Sequence, residues 1–126
     1  MIALSFEFDL ATPGTLALFE QLPQAMAGRS VVIDYRPVAP PAGHAAEPWV
    51  RLLVACGAGR WACQQVLHQW TTGSPEAVGA MLAPRGNPAA VVPPAAGGPL
   101  PAVVWGDQRF AGPDAINRLL AALPAA

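Results

Sequence analysis

Charge is scarce in this chain: only 12% of its 126 residues are Asp, Glu, Lys or Arg, about half the usual share. Seven basic residues stand against eight acidic ones, for a net charge of -1. No basic run is present to track a phosphate backbone or an anionic membrane, so no nucleic-acid partner is expected. So few charges on a chain that is 53% hydrophobic also leave apolar surface exposed unless a second subunit covers it, and a homodimer is expected. Long apolar runs are missing too. The opening MIALSFEFDL meets Glu7 and Asp9 too early for a signal-peptide core, and no later stretch can span a bilayer, so no membrane association and a cytoplasmic location are expected. Cysteine is limited to Cys56 and Cys63, without partners at metal-ligand spacing; neither a metal site nor a disulfide framework follows, and both read as reduced core thiols. Gly-rich phosphate loops, paired carboxylates and nucleophilic triads are absent as well.

What is present reads as alternating strand and helix. Ile2, Leu4, Phe6 and Phe8 recur with a period of two, which predicts a first strand with one apolar face. Thr12 followed by Pro13 predicts a helix N-cap with proline at the first helical position. Leu16, Phe19 and Leu22 then carry helical spacing toward Gly28, with a break or kink expected before Pro23. Val31, Val32, Ile33 and Tyr35, closed by Arg36 and Pro37, predict a second strand, parallel to the first in a βαβ unit. Ala45 to Leu82 reads as two or three short helices, interrupted by Gly57–Gly59 and by Gly73-Ser74-Pro75. Asn87–Pro99 is too rich in proline and glycine for regular structure and is expected to be a connecting loop. Ala102–Trp105 and Gln108–Phe110 flank Gly106-Asp107, a two-residue hairpin turn. Pro113 and Asp114 open a last helix in which Ile116, Leu119, Leu120 and Leu123 share one face. The expectation is one α/β domain over residues 1–126, with a central mixed four-stranded sheet flanked by helices in the order βαβ, helical insertion, ββα.

Three segments carry a resemblance. FEFDLATPGTLALFEQLP resembles the start of DsbA-family thioredoxin-like domains, where a strand leads into a CPxC or SPxx motif; here that motif reads Thr12, Pro13, Gly14, Thr15. DYRPVAP, Asp34 to Pro40, resembles the segment that ends the second strand in 2-hydroxychromene-2-carboxylate isomerases and kappa-type glutathione transferases. GPLPAVVWGDQRFAGPDAINRLL is similar to the closing block of the same family, with Leu100, Pro101, Phe110, Gly112 and Asp114 in its motif positions. The resemblance implies a thioredoxin-like fold whose helical insertion, about residues 44–82, is reduced.

It also implies a site. The thiolate-stabilising place at the helix start holds threonine, which cannot form a disulfide, so dithiol oxidoreductase activity is excluded. By resemblance Thr12 is the catalytic hydroxyl that contacts a glutathione thiolate, and Pro13, Leu100, Pro101 and Asp114 complete the substrate site. A cis bond precedes Pro101, and Asp114 receives the γ-glutamyl ammonium. Plain structural roles stand beside each of these: an N-cap for Thr12, a fold-preserving cis turn for Pro101, and a first-turn acid for Asp114. His44 reads as a solvated loop residue and His68 as a half-buried surface residue. The four tryptophans read as packing residues, Arg36 as half of a surface ion pair, and Asp9 as a cap. Two functions follow: a glutathione-dependent isomerase or transferase, or a non-catalytic module that binds a small-molecule thiol, a peptide or a protein.

Overall fold

The computed structural model describes residues 1–124. Strand β1 (Ile2–Phe8), helix α1 (Thr15–Ala25) and strand β2 (Val31–Pro37) come first. Helices α2 (Glu47–Ala55), α3 (Arg60–Gln69) and α4 (Pro75–Leu82) follow, then strands β3 (Ala102–Trp105) and β4 (Gln108–Ala111), and helix α5 (Ala115–Ala122). The strands form one open sheet in the order β2-β1-β3-β4, with β2 parallel to β1 and the other two pairings antiparallel. The fold class is therefore α/β with a mixed four-stranded sheet, and the three helices between β2 and β3 break at the glycines and at Ser74-Pro75 where the chain signals it.

The period of two in β1 decides which face is buried. Leu4 and Phe6 register with Ile33 and Tyr35 of β2, Phe6 with Val103 of β3, and Val103 with Phe110 of β4, which makes one apolar face. Phe19 and Leu22 from α1, Leu53 from α2, Val66 from α3, Val78 from α4 and Leu119 from α5 join the same core. At roughly 1.5–3 kcal/mol for each large apolar side chain withdrawn from water, this cluster is the main favourable term for the fold. The opposite face carries Ser5 and Glu7 of β1, Val32, Asp34 and Arg36 of β2, and Arg109 of β4. Val32 is 50% exposed there.

The Pro-rich stretch Asn87–Pro99 contains one short 3-10 turn, Pro88–Ala90, and is fastened along its length. Arg51, paired with Glu47 at 2.8 Å, donates to the carbonyls of Ala89 and Val91. The Ala39 N–H donates to the Pro94 carbonyl at 2.9 Å. The Gly97 N–H donates to Glu7 Oε1 at 2.6 Å, and Arg109 Nη2 donates to the same carboxylate oxygen at 3.0 Å. A chain that reads as a loop by composition thus runs as a strap from the end of β2, past the end of β1, to β4.

Partial burial works to raise the Glu7 carboxyl, but the hydrogen bonds from Arg109 and the Gly97 N–H, with the charges of Arg109 and Arg36, hold it below the ordinary 4.5. A carboxyl held lower in the folded chain stabilises the fold above its unfolded pKa and loses that contribution as pH falls through the folded value. Urea midpoints measured from neutral pH down to about pH 3 should accordingly fall, and less steeply for Glu7→Gln. Equal slopes in the two proteins would contradict this role of Glu7.

Candidate functional site

Between β1 and α1 the chain makes two local turns. Asp9 is buried, and its Oδ1 accepts the Thr12 N–H at 2.8 Å. The buried Thr15 hydroxyl donates to the carbonyls of Asp9 at 3.1 Å and Thr12 at 2.9 Å. Pro13 and Gly14 occupy the two central positions of the second turn, and Gly14 has φ 88° and ψ -7°, the left-handed conformation that a type II turn needs at its third residue. The helix consequently starts at Thr15 with Gly14 as its N-cap residue, which corrects the expectation that Thr12 caps it. The signal was in the sequence: a Pro-Gly dipeptide favours a type II turn over a helix start. At the other end α1 continues through Pro23 to Ala25 instead of breaking before the proline. So close to the C-terminus the missing N–H costs only one late helical bond.

Of the five residues expected to form the site, four are distributed over two neighbouring cavities and the fifth, Asp114, lines neither. Pro13 and Gly14, Ala17, Leu18 and Gln21 of α1, Leu100 and Pro101, and Gly112, Pro113 and Ile116 line one cavity of about 360 Å³. Pro13, Leu100 and Pro101 are therefore brought together, and the Leu100-Pro101 bond is cis, as expected. No hydrogen bond among the described residues engages the backbone N–H or C=O of Leu100. Thr12 lines the second cavity, also about 360 Å³, with Thr15, Leu67, His68, Trp70 and Thr71; Gly14 borders both. Asp114 is exposed, makes no side-chain cap hydrogen bond to α5, and does not line either cavity, although the two residues before it, Gly112 and Pro113, line the first.

The chemistry available in the first cavity is that of a binding groove. Its walls are apolar side chains and backbone, Gln21 is the polar side chain among them, and no Cys, His, Asp or Glu contributes. Thr12 adds a hydroxyl one wall away, and His68, paired with Glu20 at 3.4 Å, borders that same second cavity. Asp9 caps no helix, because the Thr12 N–H it accepts lies in the turn ahead of α1; Arg36 pairs with Asp34 at 2.9 Å on the surface and Trp49 is buried in the core, as read. Trp61, in contrast, is 55% exposed. His44 is not simply solvated, because its Nδ1 accepts the Ala46 N–H at 3.0 Å and its ring lies 6.0 Å from that of Trp70, tying the start of α2 to the end of α3.

Sequence reasoning missed Ala17, Gln21 and Ile116, since a helix residue that lines a groove looks the same as any half-exposed position until its neighbour across the groove is known. Comparisons of the chain with protein-family models, with curated proteins and with solved structures find no match.

Proposed function

We propose that this chain is a thioredoxin-like binding module of the DsbA kind that holds an extended peptide, with glutathione as its smallest occupant, in the groove between α1 and Leu100-Pro101. The observation that carries the reading is the single cavity lined by the Pro13-Gly14 turn, by Leu100-Pro101 and by Gly112-Pro113. The order of elements, β1-α1-β2, three helices, β3-β4-α5, is the order such a domain has. Leu100 offers an unengaged N–H and C=O to a strand-like ligand, and strand addition of this kind draws its affinity from main-chain hydrogen bonds. A groove with no side-chain acid, base or thiol in its wall favours binding over turnover.

The test is a titration of the labelled protein with reduced glutathione to millimolar concentration, about the weak end of useful affinity. Amide shifts are expected at Gly14, Leu100 and Gly112, and Ala17→Trp, which fills the groove from α1, should abolish them. Shifts elsewhere, or none, would sink the assignment of this groove.

A second reading is a glutathione-dependent isomerase or transferase, and one observation favours it: Thr12, whose hydroxyl has no hydrogen-bond partner among the described residues, borders the cavity adjoining the groove. Thioether formation from glutathione and an aryl halide, lost in Thr12→Val, would establish it; absence of turnover beside measurable binding leaves the module.

The same proposal includes a homodimer in a reducing, cytoplasmic environment. Exposed Val32, Trp61, Met81 and Val92 on a chain of low charge support the dimer, and two free cysteines fit the environment. No helix among the described residues is long and apolar enough to cross a membrane. Sedimentation at tens of micromolar, about where moderate interfaces form, should give twice the chain mass; the mass of one chain would refute the dimer.

A further inference from the structure

We propose that Glu7 and Arg109, on the sheet face opposite the core, act as a latch that fixes how Leu100 is presented to the groove. They are positioning residues, and their role in binding rests on the reading of the groove as the ligand site.

The argument starts from where the strap must go. Between the end of β2 and the start of β3 the chain has no helix or strand to carry it over the last residues, and Gly97-Gly98-Pro99 leads directly into Leu100-Pro101. Two glycines make this stretch the freest part of the backbone, so its conformation has to be imposed from outside. Glu7 and Arg109 impose it. One oxygen of Glu7 accepts both the Gly97 N–H at 2.6 Å and Arg109 Nη2 at 3.0 Å. Arg109 in turn donates from Nη2 at 2.8 Å and from Nε at 3.2 Å to the Pro99 carbonyl, the residue immediately before Leu100. The guanidinium lies so close along the glycines that a Cβ on Gly98 would stand 2.8 Å from its Nε, and one on Gly97 would stand 3.2 Å from its Nη1. A side chain at position 98 would force the guanidinium to shift, and one at position 97 would crowd it by a few tenths of an ångström.

The register explains why the pair is well placed for the task. Glu7 sits opposite Ala102 on β1-β3, the residue immediately after Leu100-Pro101, and Arg109 sits opposite Val104 on β3-β4. Both are anchored in the sheet, and their side chains are mostly covered, at 12% and 21% exposure. A charge-assisted, forked contact from a sheet-held arginine is the geometry that immobilises a backbone carbonyl most effectively, and lysine cannot reproduce it because it lacks the planar fork. Against the opposing effect of burial, the hydrogen bonds from Arg109 and the Gly97 N–H and the charges of Arg109 and Arg36 hold the Glu7 carboxyl below its ordinary 4.5, so the latch is closed at neutral pH.

Amide hydrogen exchange and a glutathione titration on the full chain test the latch in three variants: Arg109→Lys, Glu7→Gln and Gly98→Ala. Exchange at Gly97, whose N–H the latch holds, should accelerate by about tenfold or more in each, as expected for losing one charge-assisted hydrogen bond, while amides of Phe6 and Val103 keep their protection. Glutathione should bind each variant about tenfold more weakly. Unchanged exchange at Gly97 would overturn the latch. So would acceleration spread evenly through the sheet, which would mark the pair as merely structural. If the unmodified protein binds no glutathione, the groove reading fails, and the exchange pattern still decides whether the latch exists.

Discussion

Replacing Phe19 by alanine is expected to lower the unfolding free energy by about 3–5 kcal/mol, enough to leave a domain of ordinary stability close to unfolded. Phe19 is 1% exposed and sits where α1 meets the sheet, with its ring centroid 6.2 Å from that of Phe6 and 5.5 Å from that of Tyr35. Truncation removes the transfer term for a full aromatic side chain and leaves a cavity between a helix and a sheet that cannot collapse onto each other. It also strips the support from Arg60, whose guanidinium lies 4.3 Å above the Phe19 ring and donates to the Tyr35 hydroxyl at 2.6 Å. Phe19→Leu keeps most of the volume and should cost far less. Urea denaturation followed by tryptophan fluorescence measures both; a loss under about 1 kcal/mol for Phe19→Ala would mean that this corner of the core is not packed as described.

The second large effect concerns the thiols. Cys63 is fully buried within α3, and its Sγ donates to the Ala58 carbonyl at 3.5 Å. Burial pushes its thiol from an ordinary 9.0 up to about 12, well beyond what the nearby charge of Arg60 offsets. Such a rise cuts the thiolate population about a thousandfold at neutral pH, and the thiolate is the reactive form. Cys56, at the end of α2, is half-buried, and burial raises its thiol as well. A disulfide reagent should therefore modify one thiol in the folded protein and the second only on unfolding. Insulin reduction should not exceed background, because under the proposed resemblance the positions of a dithiol enzyme's two cysteines are held by Thr12, in the turn before α1, and Thr15, its first residue. Rapid reaction of both thiols, or insulin reduction abolished by changing either cysteine, would contradict this account.

Much of the architecture was legible before any coordinates, and the reasons are local. Alternation in Ile2–Phe8 and the β-branched run from Val31 to Ile33 can be satisfied only by strands. Gly57–Gly59 and Ser74-Pro75 stop and restart helices wherever they stand, and Gly106-Asp107 turns a hairpin because Gly106 takes φ 62°. Two local signals gave way to competing ones: Pro23 stands inside α1 without ending it, and α1 starts at Thr15 rather than after Thr12. Thr12-Pro13 matches a helix start and Pro13-Gly14 matches a type II turn, and the turn prevailed because the Asp9 carboxylate and the Thr15 hydroxyl hold it from both sides.

The amino-acid sequence by itself determined the elements, their order and the apolar face of the sheet, since each depends on periodicity and on residues adjacent in the chain. Only the tertiary structure decided which residues of the candidate site meet. Whether Pro13 meets Pro101, whether Thr12 faces the same groove, and whether Asp114 reaches it depend on how α1 closes on the strap and α5, which lie far from it along the chain. The strap shows the same division. Composition tells that Asn87–Pro99 cannot be a helix or a strand, but its course is held by Glu7 and Arg109, which bond to it from β1 and β4, and no pattern along the chain announces a contact between residues so far apart.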